Sequence, residues 1–560
     1  MLDNYAIADN FSLLAKLIDI HGENSFKSKS YANAAFVIEK LPEQLSQLPT
    51  NKIFSIKGIG EAIGTKIQEQ LNTGILQILQ EYIQKTPPGI IEMLHIKGLG
   101  QKKINCIWKQ LEIESIGELL YACNENRLTL LKGFGAKTQE SIKENINYYL
   151  NNLGNFLYQQ VESYIQAYLQ KLTGLFPDAL FEITGEFKRQ LETIDSVEWV
   201  TTVNAEALKQ FFILNKYLIE VDTPKKLVLK GSENIKLIFH FISKQQFSYY
   251  TFITSCSNEF LEAWKQQFTW KEDTHYKNEI EIFETVGMEV IPACRREFPE
   301  IIEQYKEKKI APPLQINDIK GIIHSHSNWS DGQHTLEQMA IAAKEKGYEY
   351  LVISDHSKSA FYANGLQEER IFAQHAAIDA LNKNLAPFKI FKSIESDILN
   401  DGSLDYADDI LQLFDIVIAS VHSNLKMTEE KAMSRLLKAI ENPYTSILGH
   451  LTGRLLLSRK GYPVNHDSII EACAKHQVAI ELNAHPRRLD IDWRYIPSAL
   501  QKNVLISIDP DAHAIEGFDD CKYGVLVAQK TGLTKFQNLS SFSLEQFEFF
   551  IVQQHKKRKN

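Results

Sequence analysis

Hydrophobic and polar positions follow three different patterns along this chain. Up to residue 150 apolar residues recur at helical spacing, and within 11–20 the side chains of Leu13, Leu14 and Leu17 fall on one helical stripe with Ile18. Residues 151–310 mix helical stretches with strand-like runs, such as those at 181–185, 226–230 and 235–241. The pattern predicts a helical N-terminal region followed by a small α+β unit.

After residue 318, short apolar runs alternate with helical stretches. Seven such runs occur: I-K-G-I-I, Y-L-V-I-S, I-F-K-S-I, D-I-V-I-A-S-V, S-I-L-G, V-A-I-E-L and V-L-I-S-I. Strands separated by helices predict a parallel sheet, here closed into an α/β barrel. Because proline fixes φ and restrains its predecessor, the proline-containing joints at 85–89 and 310–318 are natural boundaries. We therefore predict domains at 1–84, 85–150, 151–312 and 318–555.

A short glycine pattern recurs three times in the helical region, as I-K-G-I-G at 56–60, I-K-G-L-G at 96–100 and L-K-G-F-G at 131–135. This pattern between two helices is the signature of a helix-hairpin-helix, whose glycines and following helix N-terminus offer backbone amides to an anion. A single copy is more often a plain tight turn, but three copies with lysine in the same place favour binding of DNA phosphates. The predicted DNA-binding residues are Lys57, Gly58, Gly60, Lys97, Gly98, Gly100, Lys132, Gly133 and Gly135.

Charge and cysteine usage narrow the picture. The net charge is −9, and residues 1–150 hold 16 Lys+Arg against 16 Asp+Glu, so DNA contact must come from backbone amides and a few placed lysines instead of a basic face. Six scattered cysteines without a CxxC pair favour a reduced compartment. With no recognisable signal peptide or membrane-spanning run, we expect a cytoplasmic protein without a membrane partner.

Polar residues of the kind that metals prefer follow nearly every strand of the predicted barrel. They are His324 and His326, His356, Glu395, His422, His450, Glu481 and Asn483, and Asp511 and His513. The C-terminal strand ends of such a barrel share one face, so residues distant in sequence converge there. One such histidine alone is more often a hydrogen-bonded strand end; the whole set predicts a multinuclear metal site.

Several longer motifs are specific. They include H-S-H at 324–326, I-S-D-H-S at 353–357, G-H-L-T-G-R at 449–454 and S-I-D-P-D-A-H at 507–513, with H-G-E-N-S-F-K-S-K-S-Y-A-N-A-A upstream at 21–35. Together they resemble bacterial family X DNA polymerases that carry a C-terminal PHP (polymerase and histidinol phosphatase) domain, and the resemblance spans essentially the whole chain. It implies a multi-domain protein with helix-hairpin-helix domains, a nucleotidyltransferase-like palm and thumb, and a distorted TIM-like seven-stranded PHP barrel.

The resemblance also implies a ligand set and a chemistry. The implied metal ligands are His324, His326, Asp331, His356, Glu395, His422, His450, Asp511 and His513. Nine nitrogen and oxygen ligands imply two or three divalent ions, with Mn²⁺ or Zn²⁺ favoured and Fe²⁺ also suited, and phosphoester hydrolysis as the reaction class. Asp355 is expected to orient a ligand. Arg454 and Arg488 are expected either to clamp a substrate phosphate or to form structural salt bridges.

The polymerase motif is degenerate. Where family X enzymes carry a motif like G-S-x-R-R-x-x-E-T-x-G-D-x-D, this chain has G-E-F-K-R-Q-L-E-T-I-D-S-V-E at 185–198. Ser196 and Glu198 stand where two magnesium-binding aspartates are expected, and a looser alignment places Lys236 at the third acid. Asp195 lies three residues from Glu198 and cannot restore the spacing. We predict that templated synthesis is lost or nearly so.

These observations favour a 3′–5′ exonuclease or 3′-phosphatase acting on gapped or recessed DNA ends. One alternative is an active gap-filling polymerase with PHP proofreading, which a gap-filling assay distinguishes. Another is a non-catalytic DNA-end scaffold, which has no need of nine metal-binding groups. A small-molecule phosphatase of the histidinol-phosphate kind is a third, although three DNA-type hairpins do not suit that substrate.

Overall fold

The chain forms two compact units, Met1–Leu153 and Gly154–Asn560. The computed structural model describes residues 2–124, 127–151, 154–231, 235–272, 274–307, 312–457 and 460–559. Part of the predicted joint at 310–318, namely residues 310 and 311, lies outside these ranges. Within them, no helix has the length and apolar character required to cross a membrane.

The first unit is helical throughout its described residues. Its helices are α1 (Asn4–His21), α2 (Ser25–Glu39), α3 (Thr50–Ser55), α4 (Glu61–Thr73), α5 (Gln77–Lys85), α6 (Pro88–Glu92), α7 (Gln101–Leu111), α8 (Ile116–Asn124) and α9 (Ala136–Asn151). The predicted stripe of α1 buries Leu14, Leu17 and Ile18, while Leu13 is half-buried beside them. The helical N-terminal region is confirmed.

The helices of the first unit share one core. The chain breaks between α5 and α6, where Pro88 occupies the first turn of α6. Buried apolar residues from Ile7 to Ile146 nevertheless form one cluster, and Asn105 donates its side-chain amide to the carbonyl of Ile20 at 2.8 Å. The predicted boundary between residues 84 and 85 therefore falls within a continuous core.

The second unit begins with the α+β region. Its elements are β1 (Phe156–Leu157), α10 (Tyr158–Leu175), β2 (Phe181–Thr184), α11 (Gly185–Lys188), β3 (Thr193–Ile194), β4 (Ser196–Thr201), α12 (Ala205–Leu214), β5 (Leu218–Thr223), β6 (Lys226–Lys230), β7 (Lys236–Phe241), α13 (Phe247–Thr254), α14 (Asn258–Gln267), α15 (Glu279–Glu284) and α16 (Glu300–Lys306). Five strands form one sheet in the order β2-β4-β7-β6-β5, in which β4 and β7 are parallel. The three runs predicted as strands correspond to β2, β6 and β7.

The second unit continues into the barrel. Its elements are β8 (Gly321–Ile322), α17 (Leu336–Glu345), β9 (Tyr350–Ile353), α18 (Glu368–Leu385), β10 (Lys389–Asp397), α19 (Asp408–Leu411), β11 (Ile416–Ser420), α20 (Glu429–Glu441), β12 (Ile447–Leu448), α21 (His466–His476), β13 (Ala479–Asn483), α22 (Ile496–Gln501), β14 (Ile506–Asp509), α23 (Cys521–Gln529) and α24 (Leu544–Lys557). The strands β8 to β14 are parallel and neighbours in chain order. A parallel bridge between Ser325 and Ala512, just beyond β8 and β14, nearly closes the barrel. The predicted seven-stranded barrel is confirmed.

The interior of the barrel changes from apolar to polar along each strand. Because side chains alternate along a strand, every second residue points inward. In β9 and β10, Tyr350, Val352 and Phe391 pack together with the C-terminal helix α24, whereas Glu395 follows farther along β10 among polar side chains. Phe547 of α24 stacks on Tyr350, with ring centroids 4.5 Å apart. One end of the barrel is thus a hydrophobic plug, and the other is available for charged groups.

Removing this plug is expected to destabilise the barrel. Phe547 is fully buried against Tyr350 and Phe391, so Phe547→Ala should lower the free energy of unfolding by about 3–5 kcal/mol. Phe549 lies on the same helix with 65% of its surface exposed. Phe549→Ala should therefore change the free energy of unfolding by less than about 0.5 kcal/mol. Urea unfolding measures both values. Equal effects of the two substitutions would contradict this packing.

Candidate functional site

The polar ends of the barrel strands converge on the carboxylate of Glu395. Its Oε1 lies 3.3 Å from His324 Nε2, 3.1 Å from His422 Nε2 and 3.0 Å from His450 Nε2. Its Oε2 lies 2.9 Å from His356 Nδ1. These four histidines follow β8, β11, β12 and β9, so residues up to 126 positions apart in sequence meet at one buried carboxylate. Each oxygen of Glu395 faces a different set of imidazoles, which suits a carboxylate that bridges two cations.

A second group lies beside this carboxylate. The Nε2 atom of His326 is 3.1 Å from Asp511 Oδ1 and 3.7 Å from Glu395 Oε2. The ring of His326 stacks on that of His513 with centroids 4.1 Å apart. Asp331 completes the group, with its Oδ1 3.5 Å from His513 Nε2. All nine residues of the predicted ligand set therefore lie together at the C-terminal end of the strands.

The chain bends directly after β8. The strand ends at Ile322, and His324 has a φ of +58°, in the left-handed region that an L-residue enters at a cost of about 1–2 kcal/mol. His324 and His326 therefore do not continue β8 as an extended strand. A bend brings both rings to the cluster instead, with centroids 5.2 Å apart. Asp511 has a φ of +52°, so ligands on both edge strands occupy strained backbone positions.

The donor set fits divalent cations. Three overlapping groups have ligand atoms within 4.8 Å of one another: His326, Asp331, His356 and His513; His324, His326 and Asp511; and His356, Glu395 and His422. The buried atoms His326 Nδ1 and His450 Nδ1 have no hydrogen-bond partner among the described residues. Buried polar atoms without a partner are rare in proteins, and bound cations would satisfy such atoms. Imidazole and carboxylate ligands without thiolate suit Mn²⁺, Zn²⁺ or Fe²⁺.

The histidines and carboxylates of the cluster shift one another's pKa values. Burial would lower the pKa of His422, but Glu395 and Asp397 raise it to about 10. Burial likewise opposes protonation of His513, yet Asp331 and Asp511 raise its pKa to about 9. Burial would raise the pKa of Glu395, and the surrounding histidines instead hold it well below its usual range. Protons on His422 and His513 therefore offset part of the negative charge of the buried carboxylates.

Further polar residues orient the ligands. Asp355, as predicted, contacts the loop that carries Asp331: it accepts hydrogen bonds from both the backbone and the hydroxyl of Ser327 (2.9 and 2.7 Å). Two other carboxylates were not predicted to orient ligands. Asp397 Oδ1 lies 2.9 Å from His422 Nδ1, and Glu481 contacts His324 Nδ1. Carboxylates behind imidazole ligands fix the ring orientation and increase its basicity.

The two arginines expected at the site have different surroundings. Arg454 donates to Asp492 and to the carbonyl of Arg488, both at 2.9 Å, and also contacts Glu192. Its guanidinium nitrogens are thus engaged in a salt bridge, which is the structural one of the two roles expected for it. Arg488 remains beside the cluster, with its Nε 3.6 Å from Asp511 Oδ2.

The three hairpins of the first unit share one backbone geometry. The first glycine of each has a positive φ: +95° at Gly58, +84° at Gly98 and +91° at Gly133. The second glycine immediately precedes a helix, and a Cβ built on Gly60, Gly100 or Gly135 would meet no atom within 4 Å. The lysines, Lys57, Lys97 and Lys132, are exposed. Exposed backbone amides at a helix N-terminus, next to a lysine, are suited to a phosphate.

Comparison with known proteins agrees with these features. Residues 2–76 match the family described as helix-hairpin-helix domain, and residues 90–147 match the SAM-like helix-hairpin-helix tandem. The DNA polymerase/3'-5' exonuclease PolX of Bacillus subtilis (strain 168) is 32% identical over 562 residues, which cover 96% of this chain and 97% of that protein. The chain belongs to the PolX family. The sequence resemblance to family X polymerases with a PHP domain is thereby confirmed, and both findings indicate a DNA-binding protein.

Other relatives of this PolX-family chain carry a different name. A probable phosphatase of Thermoanaerobacter sp. (strain X514) is 24% identical over 230 residues, covering 39% of this chain and 89% of that protein. A probable phosphatase of Shewanella piezotolerans (strain WP3 / JCM 13877) is 26% identical over 171 residues, or 30% of this chain and 64% of the relative. These relatives support an enzyme.

The polymerase motif of this chain has other side chains at the positions of the expected acids, Ser196 and Glu198. Ser196 donates its hydroxyl to Asp195 Oδ1 at 2.6 Å, and Glu198 Oε2 lies 3.0 Å from His240 Nε2 on the neighbouring strand β7. Lys236, which a looser alignment places at the third acid, pairs with Ser196 in the register of β4 and β7, and its Nζ lies 3.8 Å from Glu220 Oε2. His240 pairs with Val200 in the same register and reaches Glu198 diagonally.

Metal-ligand groups are confined to one domain in the part of the chain that the structure describes. Every set of three or more histidine, cysteine, aspartate or glutamate side chains that could share an ion lies in the barrel. Among its described residues, the α+β region contributes no such set, and Glu198 there is paired with the imidazole of His240.

Loading the barrel with metal is expected to release protons. His422 and His513, with pKa values of about 10 and 9, are protonated at neutral pH, and a metal binds only the neutral imidazole. Apparent Mn²⁺ affinity should therefore rise as pH increases towards 9. Calorimetric titration in two buffers of different ionisation enthalpy should show net release of protons on binding, since the pKa of His324 is raised as well. Binding without proton release would contradict this charge assignment.

Proposed function

We propose that the barrel of this PolX-family protein is a metal-dependent phosphoesterase that acts on the 3′ ends of DNA, as a 3′–5′ exonuclease or a 3′-phosphatase. The proposal rests chiefly on one observation: nine histidine, aspartate and glutamate side chains, with the shared carboxylate of Glu395 among them, lie together at one end of the barrel. The name of the Bacillus subtilis relative includes a 3'-5' exonuclease, and the other relatives are named probable phosphatases. The words exonuclease and phosphatase in these names both describe phosphoester hydrolysis.

The residues of the site would hold two or three divalent ions. When bound, such ions lower the pKa of water and stabilise charge on the phosphoryl oxygens. Glu395 would bridge them, and Asp397 and Glu481 would keep His422 and His324 oriented. Arg488 lies close enough to the ligand Asp511 to bind a phosphate oxygen of the substrate. With no nucleophilic side chain required, a direct attack by water on phosphorus is the step that this arrangement supports.

The first unit would supply the DNA. Its three hairpins present exposed glycine backbone and lysine to phosphates, a mode of binding that carries no sequence specificity. A substrate defined by its end, such as a gapped or recessed duplex, suits such binding. We further propose that nucleotidyl transfer is lost, because Ser196 and Glu198 stand where two aspartates are expected and Glu198 is engaged by His240.

Removing the shared carboxylate is expected to abolish hydrolysis. Glu395→Gln keeps the volume of the side chain and removes its charge. Release of nucleotides from 3′-end-labelled DNA with Mn²⁺ should therefore fall more than about 100-fold, which exceeds the loss typical of substitutions that only orient a metal ligand. DNA binding, measured by fluorescence anisotropy, should be unchanged because the hairpins are intact. His476→Ala, at the end of α21, is the control and should keep full activity. Hydrolysis by Glu395→Gln at the wild-type rate would refute the metal site.

Primer extension distinguishes the remaining alternatives. On labelled gapped, recessed and 3′-phosphorylated duplexes with nucleotides and Mn²⁺ or Mg²⁺, we expect shortening or dephosphorylation of the 3′ end and no extension. The same gel reports all three products. Extension at a rate comparable to hydrolysis would establish a gap-filling polymerase, and the absence of any product would favour a non-catalytic scaffold.

A further inference from the structure

The α+β region and the barrel meet through a buried ion pair. Glu192 belongs to the polymerase motif, and only 10% of its side chain is exposed. Its carboxylate contacts the guanidinium of Arg454 on the loop after β12, of which 14% is exposed. Burial raises the pKa of Glu192, while Arg454 opposes this shift by favouring the charged carboxylate. The polymerase motif thus contributes a charged group to the barrel.

Arg454 passes this contact on to a second loop of the barrel, residues 485–492. Its Nε donates to the carbonyl of Arg488 at 2.9 Å, and another nitrogen contacts the carbonyl of Leu489. Its Nη1 donates to Asp492 at 2.9 Å. Three points on one loop are therefore attached to a single guanidinium, whose orientation depends on Glu192.

The same loop borders the metal ligands. Arg488 Nε lies 3.6 Å from Oδ2 of the ligand Asp511. The carbonyl of Asp490 accepts a hydrogen bond from the backbone of Asn483, and the side chain of Asn483 donates to Asp511 Oδ2 at 3.2 Å. A shift of the loop would consequently move both groups that contact Asp511.

We propose that Glu192 is a positioning residue for the barrel site: it orients Arg454, which holds the loop 485–492 and so places Arg488 beside Asp511. The degenerate nucleotidyltransferase region then serves as a structural support of the hydrolytic site. This inference rests on the proposed phosphoesterase function. Glu192 would thus have a structural role, and that role would not depend on nucleotide binding by the polymerase motif.

The same two regions offer a matched control. Glu162 of α10 forms an ion pair with Lys522 of α23 at 2.6 Å and accepts a hydrogen bond from Tyr523. This pair also joins the α+β region to the barrel, but neither partner contacts the loop 485–492 or a metal ligand among the described contacts. Glu162→Gln therefore tests whether weakening the junction is sufficient in itself.

The kinetic test uses the full chain loaded with Mn²⁺ and the small substrate bis(4-nitrophenyl) phosphate, which avoids effects on DNA binding. Glu192→Gln and Arg488→Ala should each lower kcat/KM by roughly tenfold, with Mn²⁺ content unchanged by elemental analysis. Because Glu192 acts through Arg488, the double variant should be no worse than Arg488→Ala alone. Arg454→Lys keeps the charge but loses the forked donors, and should match Glu192→Gln. Glu162→Gln should retain wild-type activity.

Amide hydrogen exchange supplies a readout that does not depend on activity. Exchange in residues 487–491 should be faster in Glu192→Gln than in the wild type or Glu162→Gln, with the rest of the barrel unchanged. Exchange at the wild-type rate in Glu192→Gln would overturn this inference without affecting the proposed function. So would any of three kinetic results: additive losses of kcat/KM in the double variant, a loss in Glu162→Gln equal to that in Glu192→Gln, or full activity of Arg488→Ala. A wild-type protein that loads Mn²⁺ but hydrolyses nothing would instead overturn the proposed function on which it rests.

Discussion

The buried carboxylate of Glu395 is the constraint around which the barrel is organised. A charge inside a protein is tolerated only when it is paired and hydrogen-bonded, and four imidazoles lie within 3.3 Å of its oxygens. These imidazoles come from four different strand ends, so the strands must keep their register for the carboxylate to be neutralised. The hydrophobic plug at the opposite end, built on Tyr350 and Phe547, maintains that register. Packing at one end thus supports charge at the other.

The two halves of the second unit have diverged in their chemistry. The barrel has its ligand set assembled, with carboxylates behind the imidazoles. In the α+β region, the strand that should carry two aspartates has Ser196 and Glu198, and His240 pairs with the latter. The hydrogen-bonded His240 offers nitrogen where Mg²⁺ prefers oxygen ligands, and Ser196 offers a neutral hydroxyl in place of a carboxylate. The junction through Glu192 would give the sheet and its core a structural role that does not require nucleotidyl transfer.

Much of this architecture follows from the sequence, for definable reasons. Strand runs such as Phe181–Thr184 and Lys226–Lys230 were predicted because their apolar residues are bounded by polar and glycine residues. The convergence of polar residues was predicted because parallel strands end on one face and polar residues follow them, whereas the nine-residue ligand set was implied by the resemblance to the PHP domain. The sequence did not reveal which side chains contact each other across distant parts of the chain, because those contacts form only in the folded structure. The partner of Arg454 is 262 residues away, and His240 faces Glu198 only because of the register between two strands.

Anomalous diffraction from a crystal soaked in Mn²⁺, measured on both sides of the manganese absorption edge, tests the central claim most directly. The account predicts two or three anomalous peaks separated by roughly 3.5–4 Å, with at least two of them sharing the carboxylate of Glu395. A crystal in which the nine side chains keep their positions but no manganese peak lies beside Glu395 would contradict it.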